Sequence, residues 1–291
     1  MENKNNSFEN LYQEICQKEV PILKKSLHPI FTKALILLVI LISLIIFIGD
    51  YNFAIIGFAF FIFVGAFILI YINGSKEYKS LYRERIIGKL AKSFNNSFTF
   101  DKDSGITKEE YRYAEFPVSD IYISKNLISG DLKGTPIKIA HIDSEMRDGD
   151  NYIPLFYGVA ISCTLKGKFN NTIKVRQNDE LSNKFTKNKV DLDSNEFEKY
   201  FDVYSTSKID TMQALTSDIM TLIMDFIKKE KIKIQFTIKE NNFFITFNKI
   251  NFFKVPLLAK INKNKLEKNY NILKLVLEIS TKLNEQFNTI N

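Results

Sequence analysis

FAIIGFAFFIFVGAFILIYI, residues 53–72, is an unbroken run of twenty side chains without a charge. Wound as a helix at about 1.5 Å per residue, it matches the roughly 30 Å hydrocarbon core of a bilayer. Just upstream, residues 30–49 contain ALILLVILISLIIFIG and carry one charge, Lys33, near the start. There a long side chain reaches the head groups at little cost. Pro29 fits the opening turn of this first span, where a missing N–H is no loss, and His28 then sits at the bilayer boundary. Only Asp50, Tyr51 and Asn52 separate the two runs, so the helices must be antiparallel neighbours. A core helix of a soluble protein would show a polar stripe, and neither run has one. The mostly polar thirty residues ahead of the first run, the lack of a small-residue cleavage site after it and the second run behind it argue against a cleaved signal peptide. Gly57 and Gly65, two turns apart with Ala54 and Ala66 nearby, would let the spans approach closely.

Lys24, Lys25 and Lys33 precede the hairpin and Lys76, Lys79, Arg83, Arg85, Lys89 and Lys92 follow it, while the turn has no basic residue. The excess of Lys and Arg on both flanks places both termini in the cytoplasm. Tyr51 and Tyr71 would stand at the two interfaces. Of the 40 basic and 33 acidic residues, five of each fall in residues 1–73, so the whole net charge of +7 belongs to the remainder. A basic domain beside a membrane is drawn to anionic lipid.

Around the hairpin, Phe8, Leu11, Tyr12, Ile15 and Val20 recur at helical spacing, predicting an amphipathic helix over residues 1–29 that ends near Lys25. Tyr78, Leu81, Tyr82, Ile86, Leu90 and Phe94 predict a basic juxtamembrane helix over 74–96. Its six basic residues, Lys76, Lys79, Arg83, Arg85, Lys89 and Lys92, are the candidate membrane-surface site; the plainer account is that they set sidedness and solvate the helix.

Residues 97–291 read as an α+β domain with a mostly antiparallel sheet, strand-rich over 97–190 and helix, hairpin, helix over 191–291. Thr107 and Glu110 form a capping box for a helix through Tyr113. Strands are expected at Ile121–Ile123, Leu127–Leu132, Pro136–Ile142, Tyr152–Leu165 and Thr172–Arg176, punctuated at Gly130, Gly134, Asp148–Gly149 and Asn170–Asn171. A helix follows with Met212, Leu215, Ile219, Leu222, Ile223 and Phe226 on one face and a fresh cap at Thr216 and Ser217. Ile232–Ile238 and Phe243–Phe247 read as a hairpin across Lys239–Asn242. Leu266, Tyr270, Leu273, Leu277 and Leu283 mark a final amphipathic helix.

Chemistry is hard to find. The two cysteines, Cys16 and Cys163, form no metal or disulfide pattern, and there are two histidines and no tryptophan. Asp143, Glu145, Asp148 and Asp150 lack the order of a calcium loop, and Asp148–Gly149 suits a turn. Gly130–Thr135 lacks the Gly-Lys-Ser/Thr of a phosphate loop and also suits a turn. His141 and Asp143 share one face of a strand, half of an acid–base pair without a nucleophile. Basic strands such as Thr172–Arg176 carry no nucleic-acid module motif. No catalytic residue, metal ligand or cofactor is assigned.

Gly105-Ile106-Thr107-Lys108-Glu109-Glu110-Tyr111 and Glu196-Phe197-Glu198-Lys199-Tyr200-Phe201-Asp202-Val203-Tyr204-Ser205 together resemble the bacterial domain of unknown function 3137 family. Its layout, two close spans before a soluble domain, is similar over nearly the whole chain. This sequence departs from it at Thr206 and Ser207, where an acid is expected. The resemblance implies an address in the bacterial inner membrane, multi-pass, and no activity. The expectation is a non-enzymatic interaction domain binding a protein or peptide partner at the bilayer surface. The alternatives are a reader of anionic lipid head groups, and an enzyme whose scattered site lies near His141 and Asp143.

Overall fold

The structure is a computed structural model and describes residues 2–48, 53–117, 119–178 and 188–288. The expected reversal at Asp50–Asn52, with Gly49 and Tyr51, lies outside the described residues. The chain forms two compact units: Met1–Lys89 with Val255–Lys263, and Leu90–Lys254 with Asn264–Asn291.

The first unit is a pair of long helices. Helix α1 (Glu2–Glu14), a π-helical turn (Ile15–Glu19) and α2 (Val20–Ile48) follow one another without a break. The amphipathic and apolar segments are therefore one rod. It does not end near Lys25, and Pro29 lies inside α2 rather than in its opening turn. A mid-helix proline removes one backbone bond and crowds the carbonyl four residues back. Polar side chains flank that weakened turn: Ser26 Oγ donates to Leu23 O (2.9 Å) and Thr32 Oγ1 to His28 O (3.0 Å). His28, expected at a helix start, is likewise in the interior. The second rod is α3 (Phe53–Tyr82), a π turn (Arg83–Gly88) and α4 (Lys89–Lys92).

Both rods display large apolar side chains outward. Leu35 is 61% exposed, Ile46 74%, Phe58 68% and Phe61 76%. Gly57 and Gly65 have nothing within 4 Å of an added Cβ, so the close approach expected there does not occur. It occurs at Gly74, where a Cβ would stand 2.6 Å from Ile30 Cγ1. Beyond this contact, Ile15, Leu23, Leu27, Tyr78, Tyr82, Ile86 and Ile87 are buried, forming a stem core that continues past the apolar runs.

The second unit is built on an antiparallel sheet of β1 (Thr99–Asp101), β2 (Ile121–Leu132), β3 (Thr135–Asp148), β4 (Asn151–Gln177), β5 (Phe201–Tyr204) and β6 (Ile234–Asn248), with β6 against β4. Short helices α5 (Lys108–Tyr113), α6 (Asn195–Glu198) and α7 (Lys208–Ala214) join longer α8 (Ser217–Glu230) and α9 (Lys263–Asn288). The α+β class with an antiparallel sheet is as the pattern predicts. Lys133 and Gly134 both have positive φ between the paired Leu132 and Thr135, a two-residue turn that Asp131 braces by accepting from Gly134 N (2.7 Å). Gly149, φ +60°, turns β3 into β4. Gly130 does not punctuate: β2 runs through it, and the missing Cβ lets Phe98 approach within 2.7 Å of where one would be. The expected strands at Ile121–Ile123 and Leu127–Leu132 are thus one, bulged at Asn126 (φ +63°).

The fifteen residues of β6 would span about 50 Å if straight. Yet Asn248 N donates to Lys233 O (3.0 Å), Thr246 Oγ1 donates to Gln235 O (3.3 Å), and the Phe236 and Phe243 rings are 5.8 Å apart. The strand therefore doubles back near Glu240, φ +53°, which is the hairpin expected across Lys239–Asn242. Strand β4 pairs with both arms, Gly158–Thr164 against Asn248–Asn242 and Ile173–Val175 against Ile238–Phe236. It wraps the hairpin tip, with register shifts between Thr164 and Ile173. The break expected at Asn170–Asn171 is this bend within one extended run.

One sheet face carries Ile234, Phe236, Ile238, Phe243, Ile245 and Phe247, none more than 1% exposed. Phe226 of α8 meets Phe247 edge-on at 6.2 Å. Leu273 and Val276 of α9 close on Ile137, Ile139 and Ile161 around a void of about 10 Å³. The other face, with Ala140, Ile142, Ala160 and Phe244, is covered by Ile106, Tyr111, Ala114 and Phe116.

Candidate functional site

The six basic residues after the second apolar run fall into different surroundings. Lys76 is exposed, and the Lys79 ammonium stands over the Tyr71 ring at 5.9 Å. Arg83 is half-buried, and desolvation pulls its pKa down. Arg85 donates to Glu19 (3.1 Å), and Lys89 donates to Glu19 (3.0 Å) and pairs with Glu14 (3.1 Å). Lys92 is exposed. The two π turns touch one another, and the first has a direct use. A π turn stacks residues five apart, so Glu14 and Glu19 come to the same side of their rod and both reach Lys89.

Glu19 is only 11% exposed at its side chain. Burial works to raise its pKa, but the hydrogen bonds from Lys89 and Arg85 outweigh that and hold it below the ordinary carboxylate range. Desolvation likewise works to lower Lys89, and its bonds to Glu19 and Glu14 reverse the sign. Nothing in the local sequence around Arg85 announces these partners. The acids lie 66 to 75 residues upstream, and the usable signal was their five-residue spacing on a helix.

A strap, Val255–Lys263, belongs to the same unit. The buried Tyr78 hydroxyl donates to the carbonyls of Pro256 (3.0 Å) and Leu258 (2.9 Å), and Lys263 pairs with Glu9 (2.6 Å) while standing over the Tyr12 ring (5.3 Å). Between these ties, Leu257 is 72% and Leu258 56% exposed.

In the second unit a cleft of about 300 Å³ opens beside α5, over Ser162, Thr237, Lys239, Asn242 and Phe244. Glu109 and Glu110 line it too, and Glu110 and Lys239 are tied into ion pairs with their surroundings. Glu115 pairs with Lys174 and Lys239 (both 3.0 Å), and Glu110 with Lys138 (2.5 Å). The capping box at Thr107 and Glu110 is present and orients this rim. Behind it, Arg176 donates to Phe236 O (2.7 Å) and Thr237 Oγ1 (3.0 Å) under the Phe116 ring at 4.7 Å. Burial pushes its pKa down to about 10. Such a surface offers hydroxyl and amide side chains with both signs of charge.

His141 and Asp143 do share a face of β3. His141 meets Tyr157 edge-on at 4.7 Å, its Nδ1 buried without a partner. Burial lowers its pKa more than Asp143 raises it, favouring the neutral ring. Neither residue lines the void under α9 or the cleft beside α5. Among the described residues no three His, Cys, Asp or Glu side chains gather to hold a metal.

Comparison with known proteins bears on one segment. Residues 154–285 match the family described as "Protein of unknown function (DUF3137)". The resemblance read from the sequence is borne out over that stretch, which runs from β4 into α9. The DUF3137 match contains Glu196–Ser205 but not Gly105–Tyr111. No curated protein matches the chain. The crystal structure of the mycobacterial trehalose monomycolate transport factor A, TtfA, aligns with a TM-score of 0.42 at 13% identity, over 70% of this chain and 94% of that one. That likeness is too distant to bear on function.

Proposed function

We propose that the chain is a two-span membrane protein, its termini on the cytoplasmic side of a bacterial inner membrane, whose sheet domain is a non-enzymatic module binding a protein or peptide partner. The observation that carries the reading is the outward display of Leu35, Ile46, Phe58 and Phe61, each more than 60% exposed, on helices long enough to cross a bilayer. A soluble protein rarely exposes a contiguous apolar surface of this extent. The basic flanks supply the sidedness. The cleft beside α5, where Glu109, Glu110 and Lys239 stand with Phe244, suits an extended peptide better than a small apolar ligand.

Two measurements test this. The protein should stay in the membrane pellet through alkaline carbonate washing and leave it only with detergent. A photo-crosslinking residue at Asn242 should yield a discrete protein adduct in cells that one at Lys199 does not. Release by carbonate would remove the membrane reading, and equal adducts at both positions would remove the cleft. A head-group-reading role draws on Lys76, Lys79 and Lys92, because Arg85 and Lys89 already have carboxylate partners. An enzymatic role near His141 and Asp143 draws on their shared face alone.

A further inference from the structure

Leu257 and Leu258 form an exposed apolar pair in a segment that is tied down on every side. The neck of the loop is closed by Lys265 Nζ donating to Lys254 O (3.1 Å), and within it Lys260 N donates to Leu258 O (2.6 Å). Its far end is tied to α1 by Lys263. The tip itself hangs on the Tyr78 hydroxyl, which shares its one proton between the carbonyls on either side of Leu257, those of Pro256 and Leu258, and is buried in doing so. A loop fixed at three places, with Ala259 buried and both leucines outward, holds that exposure by construction.

The height of the tip can be read along α3. Ile72 ends the apolar run, and Tyr78 follows it by six residues, about 9 Å along the axis. A helical tyrosine leans toward the helix N-terminus, so its hydroxyl lies nearer the apolar run than its Cα does. Helix tilt only shortens that height. The polar layer on each side of a bilayer is about 5–8 Å deep. The Tyr78 Cα thus stands at the outer edge of that layer and its hydroxyl, with the tip it holds, is level with the layer, while Lys254 and Lys260 are exposed on the two sides of the tip in the sequence.

Resting on the two-span reading, we propose that the Leu257–Leu258 tip is an interfacial insertion loop: the strap presses two leucines into the head-group layer of the same membrane its stem crosses. Apolar side chains flanked by lysines are the chemistry of interfacial anchoring, with the apolar atoms at the acyl boundary and the ammonium groups among lipid phosphates. The loop would fix the stem against the bilayer at a second point.

The test uses full-length protein carrying Cys16→Ser and Cys163→Ser, reconstituted in vesicles of phosphatidylethanolamine and phosphatidylglycerol. An environment-sensitive fluorophore is placed through Leu257→Cys, Leu258→Cys, Phe60→Cys or Lys199→Cys, and quenched by lipids spin-labelled near the head group or deep in the chain. Labels at Leu257 and Leu258 should lose most of their emission to the shallow quencher and little to the deep one. The Phe60 label should respond to the deep quencher, and the Lys199 label to neither. Quenching at Phe60 without quenching at Leu257 or Leu258 overturns the loop while leaving the spans in place. No quenching at Phe60 overturns the membrane reading itself, and quenching at Lys199 overturns the claim that the loop is specific.

Discussion

Glu19 is the side chain on which the stem turns, because it is nearly buried and answers two cations at once. Hydrogen bonds to charged groups contribute about 1.5–3 kcal/mol each, so Glu19→Gln should destabilise the first unit by about 2 kcal/mol. The pH dependence follows from the direction of the shifts. The folded pKa of Glu19 is depressed, so its contribution is complete above the unfolded value of about 4.3 and is lost as pH falls through the folded one. Lys89 is raised, so its contribution is complete below about 10.4 and is lost as pH climbs through its folded value. Circular dichroism melts in detergent should show the wild type losing more stability on acidification than Glu19→Gln. Gly74 makes a steric counterpart. Gly74→Val must displace Ile30 and should cost about 1–3 kcal/mol by the same melts, whereas Gly65→Ala, facing open space, should leave the midpoint unchanged.

At the scale of elements, the β6 hairpin supplies Phe236, Phe243 and Phe247, three of the largest fully buried side chains. Phe243 is fully buried and meets Phe236 from the opposite arm at 5.8 Å, so Phe243→Ala should cost about 3–5 kcal/mol in denaturant unfolding. Tyr152, 51% exposed at the β3–β4 end, should tolerate alanine within about 0.5 kcal/mol. The hairpin was legible because Phe, Ile and Thr alternate on either side of a polar tetrapeptide, a local signal with period two. The wrapping of β4 around its tip was not, since Asn170–Asn171 looks like a turn unless one knows what the strand must go around. The continuity of α1 with α2 was hidden for a similar reason. Proline is a boundary signal in the sequence, and only burial of Ile15, Leu23 and Leu27 against the second rod shows why the helix runs on. The Arg85 and Lys89 pairs were illegible because their acids lie across the hairpin, and the charges around the cleft likewise come from three strands, a helix and the turn after it.

The whole molecule is two cores on one chain, which passes between them three times, after Lys89, Lys254 and Lys263. Each core happens to contain one cysteine. Cys163 is fully buried in the sheet, and burial pushes its thiol pKa up to about 12, so it reacts only when the sheet opens. Cys16 lies in the π turn of the stem and is half-buried. Thiol alkylation followed by mass spectrometry therefore reads the two cores separately. Glu19→Gln should speed labelling of Cys16 and leave Cys163 unchanged, and Phe243→Ala should do the reverse. By the loss of about 2 kcal/mol argued for Glu19, Cys16 labelling limited by stem opening should rise roughly thirtyfold, since 1.4 kcal/mol corresponds to tenfold in the opening equilibrium. If either substitution accelerated both thiols equally, the two cores would open as one cooperative unit, and the stem would report on the state of the sheet.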